Sequence, residues 1–102
     1  MLVEILYFDG CPNYQDARTL VERVSRELDI EPEIRLVEVS DLEAAERLRF
    51  LGSPTIRVDG RDVEPGADSR ETFVFACRVY RSDTGPSGLP HEKWLRDAVS
   101  AA

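Results

Sequence analysis

The sequence predicts an α/β domain with a central mixed sheet of four to five strands flanked by three helices. Three observations carry this prediction: an apolar run opens the chain, helical and strand patterns alternate after it, and a short hairpin signal follows. The 102 residues suffice for one hydrophobic core, and no repeat or change of composition marks a boundary. We therefore expect residues 1–102 to form a single domain.

The first part of the chain has the pattern of a β-α-β unit. The apolar run at 2–8 is typical of a strand that is covered on both faces. Residues 12–28 carry apolar side chains at helical spacing, with Pro12 at the first helical position, where its missing N–H is no loss. Residues 33–39 are rich in β-formers and predict the second strand. The crossover between two such strands is almost always right-handed.

A second helix is predicted over residues 40–51. Ser40 and Glu43 stand at the reciprocal positions of a capping box, and Gly52 is well placed to end the helix. The expected buried stripe of this helix comprises Leu42, Ala45, Leu48 and Leu51.

The third strand, at 55–58, leads into the strongest hairpin signal of the chain. Asp59-Gly60 has the composition of a tight two-residue turn and predicts a returning strand at 61–63. The rest of the chain is predicted as a loop at 64–71, a strand at 72–81, a turn-rich connection at 82–88 and a last helix from Pro90.

Cys11 is the residue with the clearest functional signal. It lies between the first strand and the first helix, where unpaired backbone N–H groups and the positive end of the helix dipole converge. Both favour the thiolate, which is the nucleophile and the soft-metal ligand. The position that would complete a CxxC pair holds Tyr14, which cannot resolve a mixed disulfide. We expect its ring to pack on the first helical turn with its hydroxyl in water.

Composition and charge disfavour several classes of partner. A net charge of -7 argues against nucleic acid and against an anionic membrane surface. Two cysteines and one histidine do not complete a zinc site without carboxylates, so we expect no metal cofactor. No apolar stretch is long enough to span a membrane, and the N-terminus lacks the basic region of a signal peptide. We expect a cytoplasmic protein whose thiols are reduced unless engaged in catalysis.

The order of elements and two motifs resemble the thioredoxin superfamily. Cys11-Pro12 is similar to the start of the glutaredoxin motif Cys-Pro-Tyr-Cys, and Pro54 matches the cis-proline that faces the reactive cysteine. The resemblance covers roughly the first 65 residues and, in type, the last helix. It is closer to a group of small bacterial thioredoxin-like proteins, some loosely linked to mercury resistance. Their Tyr-Phe-Asp-Gly-Cys-Pro, Gly-Ser-Pro-Thr and Cys-Arg-x-Tyr-Arg segments stand here at 7–12, 52–55 and 77–81.

The resemblance implies a thioredoxin-like fold and thiol–disulfide exchange. Pro54 would hold the Ser53 backbone extended beside Cys11, so that a peptide or glutathione could pair with it like an added strand. Cys77 is the only candidate in the chain for a resolving thiol; its alternative is an inert cysteine buried in an apolar strand. The expected substrate-binding residues are Pro12, Tyr14, Ser53, Pro54 and Thr55.

Three functions remain open. The first is a monothiol oxidoreductase, in which Cys11 attacks a disulfide-containing protein or a small disulfide and Cys77, or a small thiol such as glutathione, resolves the intermediate. The second is a non-enzymatic binder of a soft ion such as Hg²⁺ through Cys11 and Cys77. The third is an interaction module with the same fold and no redox activity. Apart from a small thiol as co-substrate, no cofactor is expected.

Overall fold

A computed structural model describes residues 1–101 of the chain. Its elements are β1 (Leu2–Tyr7), α1 (Tyr14–Glu27), β2 (Glu33–Glu38), α2 (Leu42–Arg47), β3 (Thr55–Val58), β4 (Arg61–Asp62), a 3₁₀ turn (Ala67–Ser69), β5 (Tyr80–Ser82), β6 (Gly85–Ser87) and α3 (Glu92–Ala101). The predicted α/β class is confirmed, with a mixed four-stranded sheet, a separate two-stranded hairpin and three helices. Within these residues no helix has the length and apolar character needed to cross a membrane.

The main sheet is built around β1. The strand order is β2-β1-β3-β4, with β1 parallel to β2 and antiparallel to β3. Because side chains alternate along a strand, Val3 and Ile5 are buried on one face of β1 and Leu6 on the other. The apolar run at the start of the chain is thus covered on both faces, as predicted.

Two apolar clusters join the helices to the sheet. The larger cluster combines Val3 and Ile5 with buried side chains of α1 and α3, among them Val21 and Leu95. The smaller one packs α2 against the opposite face through Leu6 and its neighbours. Burying a Val, Leu or Ile side chain contributes about 1.5–3 kcal/mol relative to exposure, so these clusters hold the three layers together.

The predicted hairpin at Asp59-Gly60 is confirmed. Both residues adopt positive φ, +50° and +86°, as a tight primed turn requires. The N–H of Leu2 donates to Asp59 Oδ1 at 2.8 Å, which fastens this turn to the start of β1.

The start of α2 differs from the prediction. The helix begins at Leu42, and its cap is Asp41, whose Oδ1 accepts a hydrogen bond from the N–H of Ala44 at 2.8 Å. The capping box of Ser40 and Glu43 is therefore wrong, because the short Asp41 carboxylate satisfies the first turn one residue later. Leu42, expected in the buried stripe, is 52% exposed.

The end of α2 also differs. Arg49 adopts a left-handed φ of +55°. The N–H of Phe50 donates to the carbonyl of Ala45 at 2.8 Å, and the N–H of Arg49 donates to that of Glu46 at 3.2 Å. These two hydrogen bonds form a Schellman motif, so the prediction that Gly52 caps the end of α2 is wrong.

Residues 72–81 do not form the predicted strand. The N–H of Val74 donates to the carbonyl of Phe50 at 3.0 Å, and one isolated parallel bridge pairs Cys77 with Ser53. The pairing between these two segments is limited to this single bridge. Regular structure resumes at Tyr80, and the predicted turn region that follows contains the β5–β6 hairpin.

Candidate functional site

Cys11 lies in the turn that leaves the carboxyl end of β1. Its N–H donates to the carbonyl of Phe8 at 3.1 Å, which closes the turn. The residues on either side, Gly10 and Pro12, are exposed, whereas Cys11 itself is only 5% exposed. The backbone of this corner therefore faces solvent while its thiol is covered.

The helix that follows starts later than predicted. Its first residue is Tyr14, and Asn13 occupies the cap position without a side-chain capping bond. Pro12 stands in the turn and not at the first helical position, so Cys11 is three residues ahead of α1. Gly88 packs closely against this cap residue, because a Cβ on Gly88 would come within 2.3 Å of Asn13 Nδ2.

Tyr14 packs as a ring on the end of β1. It stacks on Tyr7 with the ring centroids 4.1 Å apart and the planes at 15°. Gln15 Nε2 donates to its hydroxyl at 3.3 Å. Desolvation, helped by the negative charge of Glu38, raises the pKa of Tyr7, which keeps this phenol neutral. The geometry gives Tyr14 a packing contact with Tyr7 at the end of β1.

Ser53 and Pro54 precede β3 and lie at the same edge of the sheet as Cys11. The antiparallel register pairs Leu6 with Thr55, so the two residues before Thr55 lie beyond the carboxyl end of β1. The Ser53–Pro54 peptide bond is cis, as expected. All three residues are buried, and the Thr55 hydroxyl donates to the carbonyl of Gly52 at 2.6 Å.

The backbone of Ser53 is already paired with another part of the chain. Its N–H donates to the carbonyl of Ala76 at 2.9 Å, and its carbonyl accepts from the N–H of Arg78 at 2.9 Å. These bonds enclose the parallel bridge between Ser53 and Cys77. The groups expected to receive a substrate strand are therefore occupied by residues 76–78.

The buried side chain of Arg78 stabilises the pairing between Ser53 and residues 76–78. Its guanidinium donates to both carboxylate oxygens of Asp62, at 2.7 and 3.2 Å, and to Glu64 Oε1 at 2.9 Å. It also donates to Thr55 Oγ1 at 3.0 Å and lies 4.2 Å from the ring centroid of Tyr80. Burial alone would lower the pKa of Arg78, but the hydrogen bonds to Asp62 and its charge outweigh that effect and raise it. The guanidinium therefore stays charged although it is buried.

Two further contacts hold the same region. The Tyr80 hydroxyl donates to the carbonyl of Pro54 at 2.6 Å, and burial raises the pKa of this phenol so that it remains a donor. Gly52 has a φ of +114°, and a Cβ there would lie 2.8 Å from Arg78 Cβ. A glycine is thus required where the chain before Ser53 meets Arg78.

Cys77 is exposed, in contrast to Cys11. The alternative of an inert cysteine buried in an apolar strand is therefore wrong. Burial alternates after it, since Arg78 and Tyr80 point inward while Val79 is exposed like Cys77. Two residues before it, the ring of Phe75 packs against Phe8 with centroids 5.3 Å apart. Phe75 thus packs against Phe8, at the start of the turn that carries Cys11.

The charged residues that hold the Cys77 segment against the sheet were not identified from the sequence. Asp62, Glu64 and Arg78 are charged side chains in segments of mixed polarity, and charged residues are most often exposed. Their burial depends on three segments meeting in space. The adjacency of Arg78 to Cys77 was the one available signal.

The comparisons with known proteins are negative. No protein-family model matches the chain, and no curated protein or solved structure matches it. Within residues 1–101, no group of three or more histidine, cysteine, aspartate or glutamate side chains could hold a metal ion.

Proposed function

We propose that this protein carries out thiol–disulfide exchange, with Cys11 and Cys77 forming a reversible disulfide within a thioredoxin-like fold. One observation carries the proposal: the bridge to Ser53 fixes Cys77 at the sheet edge where the Cys11 turn lies. The chain has only these two cysteines, and both are free thiols.

The arrangement of the sheet and helices supports the fold assignment. A β-α-β unit is followed by an antiparallel β3–β4 hairpin, with α1 and α3 on one face and α2 on the other. The cysteine at the first strand–helix corner and the cis Pro54 lie at the same edge. These features agree with the resemblance of the sequence to thioredoxin-like proteins.

The chemistry requires no bound cofactor. One thiolate attacks a disulfide and forms a mixed disulfide, and the other thiolate displaces the remaining half. The substrate disulfide is reduced to two thiols while the protein loses two electrons and forms the Cys11–Cys77 bond. Two molecules of a small thiol such as glutathione reverse this step. A disulfide-containing protein or a small disulfide is the partner class.

The first test is oxidation of the wild-type protein with glutathione disulfide, followed by intact mass spectrometry and peptide mapping. We expect loss of two hydrogens and a Cys11–Cys77 crosslink, both reversed by reduced glutathione. The Cys77→Ser variant is the matched control, because it cannot form the crosslink. A wild-type protein that forms no intramolecular disulfide overturns the proposal. Tight binding of one Hg²⁺ by such a protein would favour the soft-ion binder instead.

A further inference from the structure

We infer that Cys77, and not Cys11, is the thiol that first attacks the external disulfide, and that Cys11 is the internal resolving thiol. This inference rests on the proposed function and assigns the order of its two steps. It reverses the order that the sequence motif suggested. The expected substrate is a small disulfide of the glutathione disulfide class.

Access to the two sulfurs carries the argument. Exchange requires the attacking sulfur to approach a disulfide sulfur directly, so a covered thiol reacts slowly with an external molecule. Cys11 is 5% exposed, whereas Cys77 belongs to the exposed class. Cys77 is therefore the cysteine that is more open to a disulfide arriving from solvent.

The segment that carries Cys77 is fastened on both sides of it. Before Cys77, the N–H of Val74 donates to Phe50 and the carbonyl of Ala76 accepts from Ser53. After it, the buried Arg78 and Tyr80 attach the chain to Asp62 and Pro54. Freeing the N–H and the carbonyl of Ser53 for a substrate would require this segment to detach, and these hydrogen bonds oppose that movement.

This fastening also restricts the substrate. An extended peptide cannot add as a strand to Ser53, since the N–H and the carbonyl of Ser53 are both used by residues 76–78. A small disulfide needs no such pairing. It has only to reach the exposed residue Cys77.

The two steps balance as follows. The Cys77 thiolate attacks one sulfur of the small disulfide, a Cys77–S–S–R bond forms, and the first RS⁻ leaves and takes up a proton. The Cys11 thiolate then attacks the Cys77 sulfur, the Cys11–Cys77 bond forms, and the second RS⁻ leaves. The protein gives up two electrons and two protons, and the disulfide becomes two thiols.

Two single variants test the order. Cys11→Ala and Cys77→Ser are each mixed with glutathione disulfide, and the gain of one glutathionyl group is followed by intact mass spectrometry. We expect Cys11→Ala to be modified about tenfold faster or more, because its remaining thiol is the accessible one. Equal rates, or faster modification of Cys77→Ser, would overturn the inference.

A measurement on the wild-type protein tests the same order without relying on the Cys11 variant, which could misfold. The reduced protein is alkylated under native conditions with iodoacetamide, and peptide mapping gives a separate rate for each thiol. We expect Cys77 to be alkylated first by about tenfold or more. Alkylation of Cys11 first overturns the order while a wild-type Cys11–Cys77 disulfide still supports the exchange function. Absence of that disulfide overturns the function itself, whichever thiol is faster.

Discussion

Arg78 and Asp62 form a bidentate ion pair inside the protein, with N–O distances of 2.7 and 3.2 Å. Their side chains are only 3% and 2% exposed. Arg78 lies in the segment of Cys77, and Asp62 is the last residue of β4. The pair therefore attaches the segment over Ser53 to the edge of the main sheet.

Replacing Asp62 by Asn should destabilise the protein strongly. Removing one partner of a buried pair leaves an uncompensated charge and costs about 3–5 kcal/mol, with the low end expected here because Glu64 remains. The free energy of unfolding from urea titration measures the loss. The matched control is Asp97→Asn, which breaks the exposed pair with Lys93 and should cost less than about 1 kcal/mol. Similar losses in both variants would show that the buried pair has no special role.

Replacing Gly52 by Ala should loosen the Cys77 segment. The new Cβ would lie 2.8 Å from Arg78 Cβ at a φ of +114°, and strain of this kind costs about 1–3 kcal/mol. Gly60→Ala is the control, because that residue also has positive φ but nothing within 4 Å of the added Cβ. We expect a larger loss of stability for Gly52→Ala, together with faster alkylation of Cys11. Equal behaviour of the two variants would contradict the close approach of Arg78.

Tyr14 should contribute to packing and not to chemistry. Tyr14→Ala removes the stack on Tyr7 and should cost about 1 kcal/mol of stability, whereas Tyr14→Phe keeps the ring and should cost little. Neither variant should slow the formation of the Cys11–Cys77 disulfide when measured on folded protein. A loss of exchange in Tyr14→Phe with unchanged stability would assign the hydroxyl a chemical role.

Glu92 should make stability depend on pH in the acid range. Its hydrogen bonds with Arg23 and Arg96 lower its pKa from 4.5 to about 2, and the bond with Arg23 joins α3 to α1. A lowered carboxyl pKa means that the stabilisation is full above pH 4.5 and is lost as the pH falls towards 2. Because these groups are partly exposed, we expect at most about 1 kcal/mol.

The measurement for Glu92 is the difference in urea stability between the wild-type protein and Glu92→Gln at several pH values. The difference should be constant near neutral pH and should shrink as the solution is acidified. Glu46→Gln serves as the control, since Glu46 lies on the exposed face of α2 and makes no ion pair within residues 1–101. A difference that grows on acidification would contradict the direction of the shift.

Local patterns predicted the main sheet well. The apolar run of β1, the helical stripe of α1 and the Asp59-Gly60 turn each depend on neighbours close in sequence, and the structure has all three. The ends of α2 were not predictable in the same way. Asp41 and Ser40 are both good caps, and only the path of the chain decided between them.

The residues of the candidate site were likewise only partly predictable from the sequence. Cys11 and Pro54 were identified from motifs, because a strand–helix corner and a Ser-Pro pair are recognisable locally. The sequence did not predict that Cys77 lies beside Ser53, because these residues are far apart in the chain and share a single isolated bridge. A bridge of one residue leaves no periodic pattern that could reveal it.

The sequence by itself determined the α/β class, the four strands of the main sheet and the two thiols, because periodicity and residue type encode them directly. The tertiary structure alone decided that Arg78 is buried, that the Ser53 backbone is occupied, and that Cys77 is exposed while Cys11 is covered. These properties arise where distant segments meet. Burial and pairing there depend on which groups the fold brings together, and no single segment carries that information.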